Sequence, residues 1–257
     1  MSSLWGTGKG LCCCIVAALC CSGSTTTFAD DNPGSVSLRF GDATFDWLVG
    51  EDGHTEYTET GYEFTGIDSG SGWSLSWNLM ASGSAMMESL VTNFVVVNTS
   101  SETQTFTIYQ SGVISDAMSS SLIGGSVAGS VSDFNGNGAT VAAVSPTSSV
   151  YFAYVDATDT SPFNGTVVGN LLTGASASSG SFLTGNLDTE SFGSIPTLPS
   201  DPGPAIDTNI GIGLEFTLTA GDSASFTASF VAAVPGPAPF GLAGIAGLFL
   251  RGRRRRP

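Results

Sequence analysis

Apolar and polar residues alternate with a period of two along most of the chain. Between positions 73 and 79, large apolar side chains stand at every second position, separated by serine and asparagine: Trp73, Leu75, Trp77 and Leu79. Successive side chains of an extended strand point to opposite faces, so this pattern predicts strands with one buried face. The same alternation over 210–218 and 226–232, on either side of the turn at 220–222, predicts a β-hairpin.

Further segments of the same kind raise the number of predicted strands to about ten. They lie at 36–40, 44–49, 62–67, 91–97, 103–109, 140–144 and 150–155. A turn at 98–102 separates two of them, and glycine, asparagine and serine fill most connections. The expected body, 30–233, is therefore all-β. It is an antiparallel β-sandwich of the jelly-roll or immunoglobulin-like type, with a barrel as the alternative.

Residues 172–208 depart from this pattern. Serine and glycine dominate the first part, and prolines follow in the second: Pro196, Pro199, Pro202 and Pro204. Proline lacks the N–H group that a sheet ladder needs, so it is excluded from central strands. The sequence predicts one long surface loop here, and the division of the body into one or two domains stays open.

The N-terminus has the order of features that defines a secretory signal peptide. Lys9 precedes an apolar run at 11–21, and Thr27-Phe28-Ala29 supplies small residues for cleavage after Ala29. This segment, 1–29, holds all five cysteines: Cys12, Cys13, Cys14, Cys20 and Cys21. The mature protein is therefore expected to be exported and to fold without a disulfide.

Charge is distributed unevenly along the chain. All 22 acidic residues lie between Asp30 and Asp222, where Arg39 is the only arginine or lysine. Such a body repels phosphate backbones, which excludes nucleic acid as a partner and disfavours anionic membrane surfaces. Divalent cations and neutral polysaccharides remain compatible with it.

The C-terminus, 234–257, combines three features in a fixed order. A proline motif comes first, formed by Val234, Pro235, Gly236 and Pro237. An apolar segment at 238–250 follows, and the chain ends in a basic cluster of Arg251, Arg253, Arg254, Arg255 and Arg256. By the positive-inside rule, arginines at the end of a membrane segment stay on the cytoplasmic side, which leaves the body outside.

This tail resembles the PEP-CTERM sorting domain, although Gly236 stands where that family usually carries glutamate. The resemblance implies an exosortase-like membrane peptidase as a partner. It also implies transient anchoring in the inner membrane, followed by delivery to the cell surface or the extracellular space, often alongside exopolysaccharide. The apolar segment is shorter than the roughly 20 residues that cross a bilayer as a helix.

One motif has the residue types of a calcium loop. Asp133, Asn135 and Asn137 alternate with Phe134 and glycine, and oxygen side chains at alternate positions can fold around a calcium ion. Val144 occupies the place of the closing glutamate. The alternative interpretation is an Asn-Gly hairpin turn between strands at 125–131 and 140–144.

Catalytic chemistry has few candidates in the body. The only histidine, His54, lies in a polar turn at 51–56, and lysine and cysteine are missing from 30–233. We therefore expect a non-enzymatic surface or extracellular-matrix protein without a required cofactor. One alternative is a carbohydrate-binding module with an aromatic platform of Tyr57, Tyr62, Trp73, Trp77 and Tyr109, although Trp73 and Trp77 share a face with Leu75 and are better suited to a core. The other is a glycosidase using two of the eight acidic residues at 42–68.

Overall fold

The computed structural model describes residues 34–157, 164–195 and 198–236. Within these ranges the chain forms sixteen β-strands and no α-helix. The strands are β1 Gly34–Phe40, β2 Ala43–Leu48, β3 His54–Tyr57, β4 Gly61–Gly70, β5 Trp73–Ser84, β6 Met87–Asn98, β7 Gln104–Val113, β8 Ser121–Ser132, β9 Ala139–Ala142, β10 Ser149–Val155, β11 Thr166–Thr173, β12 Ser176–Ser179, β13 Thr184–Phe192, β14 Asp201–Gly203, β15 Asn209–Leu218 and β16 Ser223–Ala233. The predicted all-β fold is confirmed.

The strands form two antiparallel sheets. The first sheet has the order β11-β10-β15-β7-β1-β2, with β9 also paired to β15 and β12 paired to β9. The second sheet has the order β13-β8-β16-β6-β5-β4-β3, with β14 also paired to β8. Most sequence neighbours in the chain are therefore not neighbours in a sheet, and the chain passes repeatedly from one sheet to the other.

The two sheets share one hydrophobic core. Aromatic rings cross between them: the Phe216 and Phe226 ring centroids are 4.7 Å apart, and those of Trp47 and Trp77 are 4.8 Å apart. Trp73 is 2% exposed and belongs to the same cluster. The period-two alternation in β5, β15 and β16 matches their burial, because every second side chain enters this core.

The predicted hairpin at 210–218 and 226–232 is wrong in its pairing, although both strands exist. Strand β15 pairs with β7, β9 and β10 in the first sheet, whereas β16 pairs with β6 and β8 in the second. The same holds for the proposed Asn-Gly hairpin, because β8 and β9 lie in different sheets. Strands that face each other across a core carry the same alternation as strands paired in a hairpin, so the pattern could not separate the two arrangements.

The predicted long loop at 172–208 contains β12, β13 and β14. Strand β13 pairs with β8 through main-chain hydrogen bonds, with Thr184 opposite Ser132, so a segment without period-two alternation becomes a strand when an edge is available. Pro202 lies in β14, which pairs only with β8. This edge position is the one that proline tolerates in a sheet.

Both terminal segments lie outside the described residues. These include the predicted signal peptide at 1–29 and the apolar segment at 238–250. Among the residues that are described, no helix is both long enough and apolar enough to cross a bilayer.

Candidate functional site

Three connections between the sheets meet at one end of the molecule. We call them the crossing loops: 99–103 joins β6 to β7, 133–138 joins β8 to β9, and 219–222 joins β15 to β16. Asn98 is fully buried beside them. Its Nδ2 donates to the carbonyl oxygens of Glu102 at 2.8 Å and of Leu218 at 2.9 Å, so one side chain holds two of the loops together.

Main-chain hydrogen bonds strengthen the same junction. The Asn98 N–H donates to the Asp222 carbonyl oxygen at 2.9 Å, and the Gly221 N–H donates to the Asn98 carbonyl oxygen at 2.8 Å. Asn135 adds the third loop, because its Nδ2 donates to the Ala220 carbonyl oxygen at 2.8 Å. The crossing loops are therefore a hydrogen-bonded unit rather than three separate turns.

The side-chain carboxylate of Asp133 organises the predicted calcium loop by accepting hydrogen bonds from main-chain N–H groups. The Phe182 N–H donates to Asp133 Oδ2 at 2.6 Å, and the Gly136 N–H donates to the same oxygen at 3.0 Å. Burial alone would raise the pKa of this carboxyl, but the N–H donors of Phe182, Gly138 and Gly136 outweigh it and lower the pKa. Asp133 thus stays ionised as an acceptor for main-chain donors.

The other two predicted metal ligands lie at the surface. The Asn137 N–H donates to Asn135 Oδ1 at 3.1 Å, and both side chains are exposed. The amide oxygen of Asn135 and the carboxylate of Asp133 are therefore engaged in holding the turn. Calcium binding by Asp133, Asn135 and Asn137 stays a prediction.

A second buried carboxyl group lies against Asp133. Asp222 is fully buried, and the Thr219 hydroxyl donates to its Oδ2 at 2.5 Å. Burial raises the pKa of Asp222, and the neighbouring Asp133 charge raises it further. Of the two carboxyl groups, Asp222 therefore has the raised pKa and Asp133 the lowered one, and Asp222 Oδ1 is buried without a hydrogen-bond partner among the described residues. Sequence reasoning missed this pair, because the two residues are far apart in the chain.

Apolar side chains project from the same end of the molecule. Phe134, Phe182 and Leu183 are each more than three-fifths exposed. Phe182 has a φ of 54°, a left-handed backbone that is unusual for a bulky residue, and its ring lies against Gly136. The buried polar network therefore fixes loops that display aromatic rings to solvent. Of these apolar residues, the sequence could have indicated Phe134 alone, because it lies inside the calcium-like motif at 133–138.

Three of the eight acidic residues at 42–68 accept separate local hydrogen bonds. Asp68 accepts from Trp47 Nε1 at 3.0 Å, Asp52 accepts from the Leu48 N–H at 2.9 Å, and Glu63 accepts from Asn78 Nδ2 at 2.6 Å. His54 is exposed on β3. These three carboxylates serve turns and strand pairs, each with a different partner.

Four of the five aromatic residues in the predicted platform are buried. Tyr62, Trp73, Trp77 and Tyr109 are each 5% exposed or less, whereas Tyr57 is 53% exposed. The preference for core packing at Trp73 and Trp77 is confirmed. A sugar cannot stack on these four rings in this fold, because stacking needs an open aromatic face.

The sorting motif begins where the second sheet ends. The Val234 N–H donates to the Met86 carbonyl oxygen at 2.8 Å, one residue after the end of β16. Pro235 is half-buried and Gly236 is exposed. Pro237 and the arginines at 251–256 lie outside the described residues.

Fold and site together define an all-β protein whose two antiparallel sheets share a core and whose connections form a polar junction at one end. The sequence matches no family model, and it matches no curated protein.

Proposed function

We propose that this chain is an exported, non-enzymatic surface or extracellular-matrix protein that is sorted through a PEP-CTERM-like tail. The observation that carries the proposal is the position of Val234, directly after the last strand of the sheet. Val234 and Pro235 follow this strand directly, which supports a motif that begins at the edge of the β body. An exosortase-like peptidase would reach it without unfolding a sheet.

For the body, we propose a β-sandwich of the jelly-roll or immunoglobulin-like type. The shared core of two antiparallel sheets and the repeated crossings between them support this architecture. Sandwiches of this kind present rigid faces and end loops, which suits a protein that acts by contact. The exposed Phe134 and Phe182 mark one such end.

Processing of the tail is tested by intact mass and cell fractionation in the native host. Pro235→Ala together with Pro237→Ala should leave a membrane-held precursor, because proline keeps the motif extended and free of helix. Pro146→Ala, at an exposed turn of the body, is the matched control and should be processed normally.

The basic cluster provides a second arm of the same experiment. Replacing Arg253, Arg254, Arg255 and Arg256 by serine should weaken membrane retention, because these charges hold the tail on the cytoplasmic side. Surface protein that still carries residues 238–257 would overturn the sorting proposal and leave a plain C-terminal anchor in its place.

A further inference from the structure

The outer face of the second sheet lacks charge over its four central strands. Strands β8, β16, β6 and β5 are neighbours in that order, and the structure describes all of their residues. Their only charged residue is Glu88, which is 4% exposed and belongs to the inward-facing row. In a chain with 22 acidic residues, four neighbouring strands without an outward-facing carboxylate form a distinct surface.

Short hydroxyl and amide side chains cover this face in rows across the strands. Ser126 and Ser229 hydroxyls are 2.8 Å apart, and the Thr227 hydroxyl donates to Asn93 Oδ1 at 2.8 Å. Between β5 and β6, the Ser82 and Ser89 hydroxyls are 2.7 Å apart. Such lateral bonds hold these side chains close to the sheet.

Aliphatic side chains interrupt the polar rows. Met80 lies opposite Val91, and they are 53% and 38% exposed, while Val95 in the same sheet is 39% exposed. These groups suit contact with similar aliphatic groups, whereas sugar rings stack on aromatic rings. The chemistry of this face therefore favours a protein partner over a polysaccharide.

The size of the face meets the requirement for a stable pair. Four strands spaced at about 4.8 Å, with about ten residues each, give roughly 19 Å by 33 Å. Contact over this area would bury roughly 600 Å² on each partner, about 1,200 Å² in total, which is the lower limit of stable protein interfaces.

We propose that this face is a self-association surface, on which a second copy of the chain packs face to face. Hydroxyl groups both donate and accept, so the face can be complementary to itself about a twofold axis. The copies would meet on the uncharged face of these strands, and the carboxylate of Glu63, on the flanking strand β4, would lie at the rim, where it accepts from Asn78 of β5. This association is independent of the sorting tail.

Sedimentation velocity on the full-length chain in a nonionic detergent tests the proposal. The wild-type protein should form dimers, and Thr227→Glu or Ser76→Glu should raise the dimer dissociation constant at least about tenfold, because each places like charges at the contact. Thr105→Glu is the matched control, since Thr105 is an exposed threonine of a central strand in the first sheet.

The thermal midpoint of each variant is measured beside the association. Unchanged midpoints with dimers lost only in Thr227→Glu and Ser76→Glu would support the proposal. A wild-type monomer at about 100 µM would overturn it. An equal rise of the dimer dissociation constant in Thr105→Glu would overturn the proposal as well. A monomeric protein that binds neutral polysaccharide through this face would also overturn it.

Discussion

Glu88 is an acidic residue that lies buried in the protein, where ionisation is unfavourable. It is 4% exposed, and the Ser115 N–H donates to its Oε1 at 2.8 Å. Burial raises the pKa of the Glu88 carboxyl, and the nearby Asp116 charge raises it too, against the lowering effect of Ser115. The folded state therefore binds this proton more tightly than the unfolded chain does, where the pKa is about 4.3.

The pH dependence of stability should show this difference. The contribution of a carboxyl group with a raised folded-state pKa is fully present below the unfolded value and is lost as pH rises through the folded value. From about pH 4 to about pH 7, the free energy of unfolding should therefore fall further in the wild type than in Glu88→Gln. Urea titrations at each pH measure the free energy of unfolding. Glu102→Gln is the control, because Glu102 is exposed. A constant difference between wild type and Glu88→Gln would contradict this assignment.

At the scale of elements, the crossing loops replace the hairpin turns that the sequence predicted. A hairpin turn satisfies its backbone within one sheet, but a loop between sheets leaves polar groups to be paired elsewhere. Asn98 supplies these partners, because it bonds to Glu102 in one loop and to Leu218 at the start of another. The stability of two of the crossing loops, 99–103 and 219–222, thus depends on one buried amide.

Asn98→Ala should reduce the free energy of unfolding by about 2 kcal/mol, because carbonyl oxygens at a buried junction lose their donor. Chemical denaturation of the purified protein measures this loss. Asn170→Ala is the control, since Asn170 is exposed on β11. An equal effect of the two substitutions would show that the Asn98 amide does not hold the loops.

At the scale of the whole molecule, the body is strongly acidic, but two of the three candidate calcium ligands already accept main-chain hydrogen bonds. Asp133 accepts main-chain donors from Phe182 and Gly136, and Asn135 bonds within its own turn. A calcium ion would have to displace these bonds, so its binding free energy would be reduced by their loss. General attraction of cations to the acidic surface remains.

Calcium at about 2 mM should therefore raise the thermal midpoint by no more than about 2 °C relative to the same protein in EDTA. Differential scanning calorimetry measures the shift, and magnesium at the same concentration controls for general charge screening. A larger shift at micromolar calcium, lost in Asn137→Ala, would establish a dedicated site in this loop.

Much of the local structure follows from the sequence alone. Alternation placed strands at β5, β15 and β16 and assigned the correct faces to the core, including Trp73 and Trp77. This succeeds because the pleat of a strand turns side-chain order directly into facing direction. The motif at 234–237 was likewise visible without a structure, since it depends on residue order.

Tertiary structure decided which strands pair and which side chains become neighbours as a result. Strands β15 and β16 separate into different sheets, β13 forms because the edge of β8 accepts it, and Asp133 meets Asp222 across distant loops. The uncharged face likewise exists only because β8, β16, β6 and β5 become neighbours. Side-chain alternation is a local property, whereas strand pairing depends on contacts between segments far apart in the chain, and the same alternation fits many pairings.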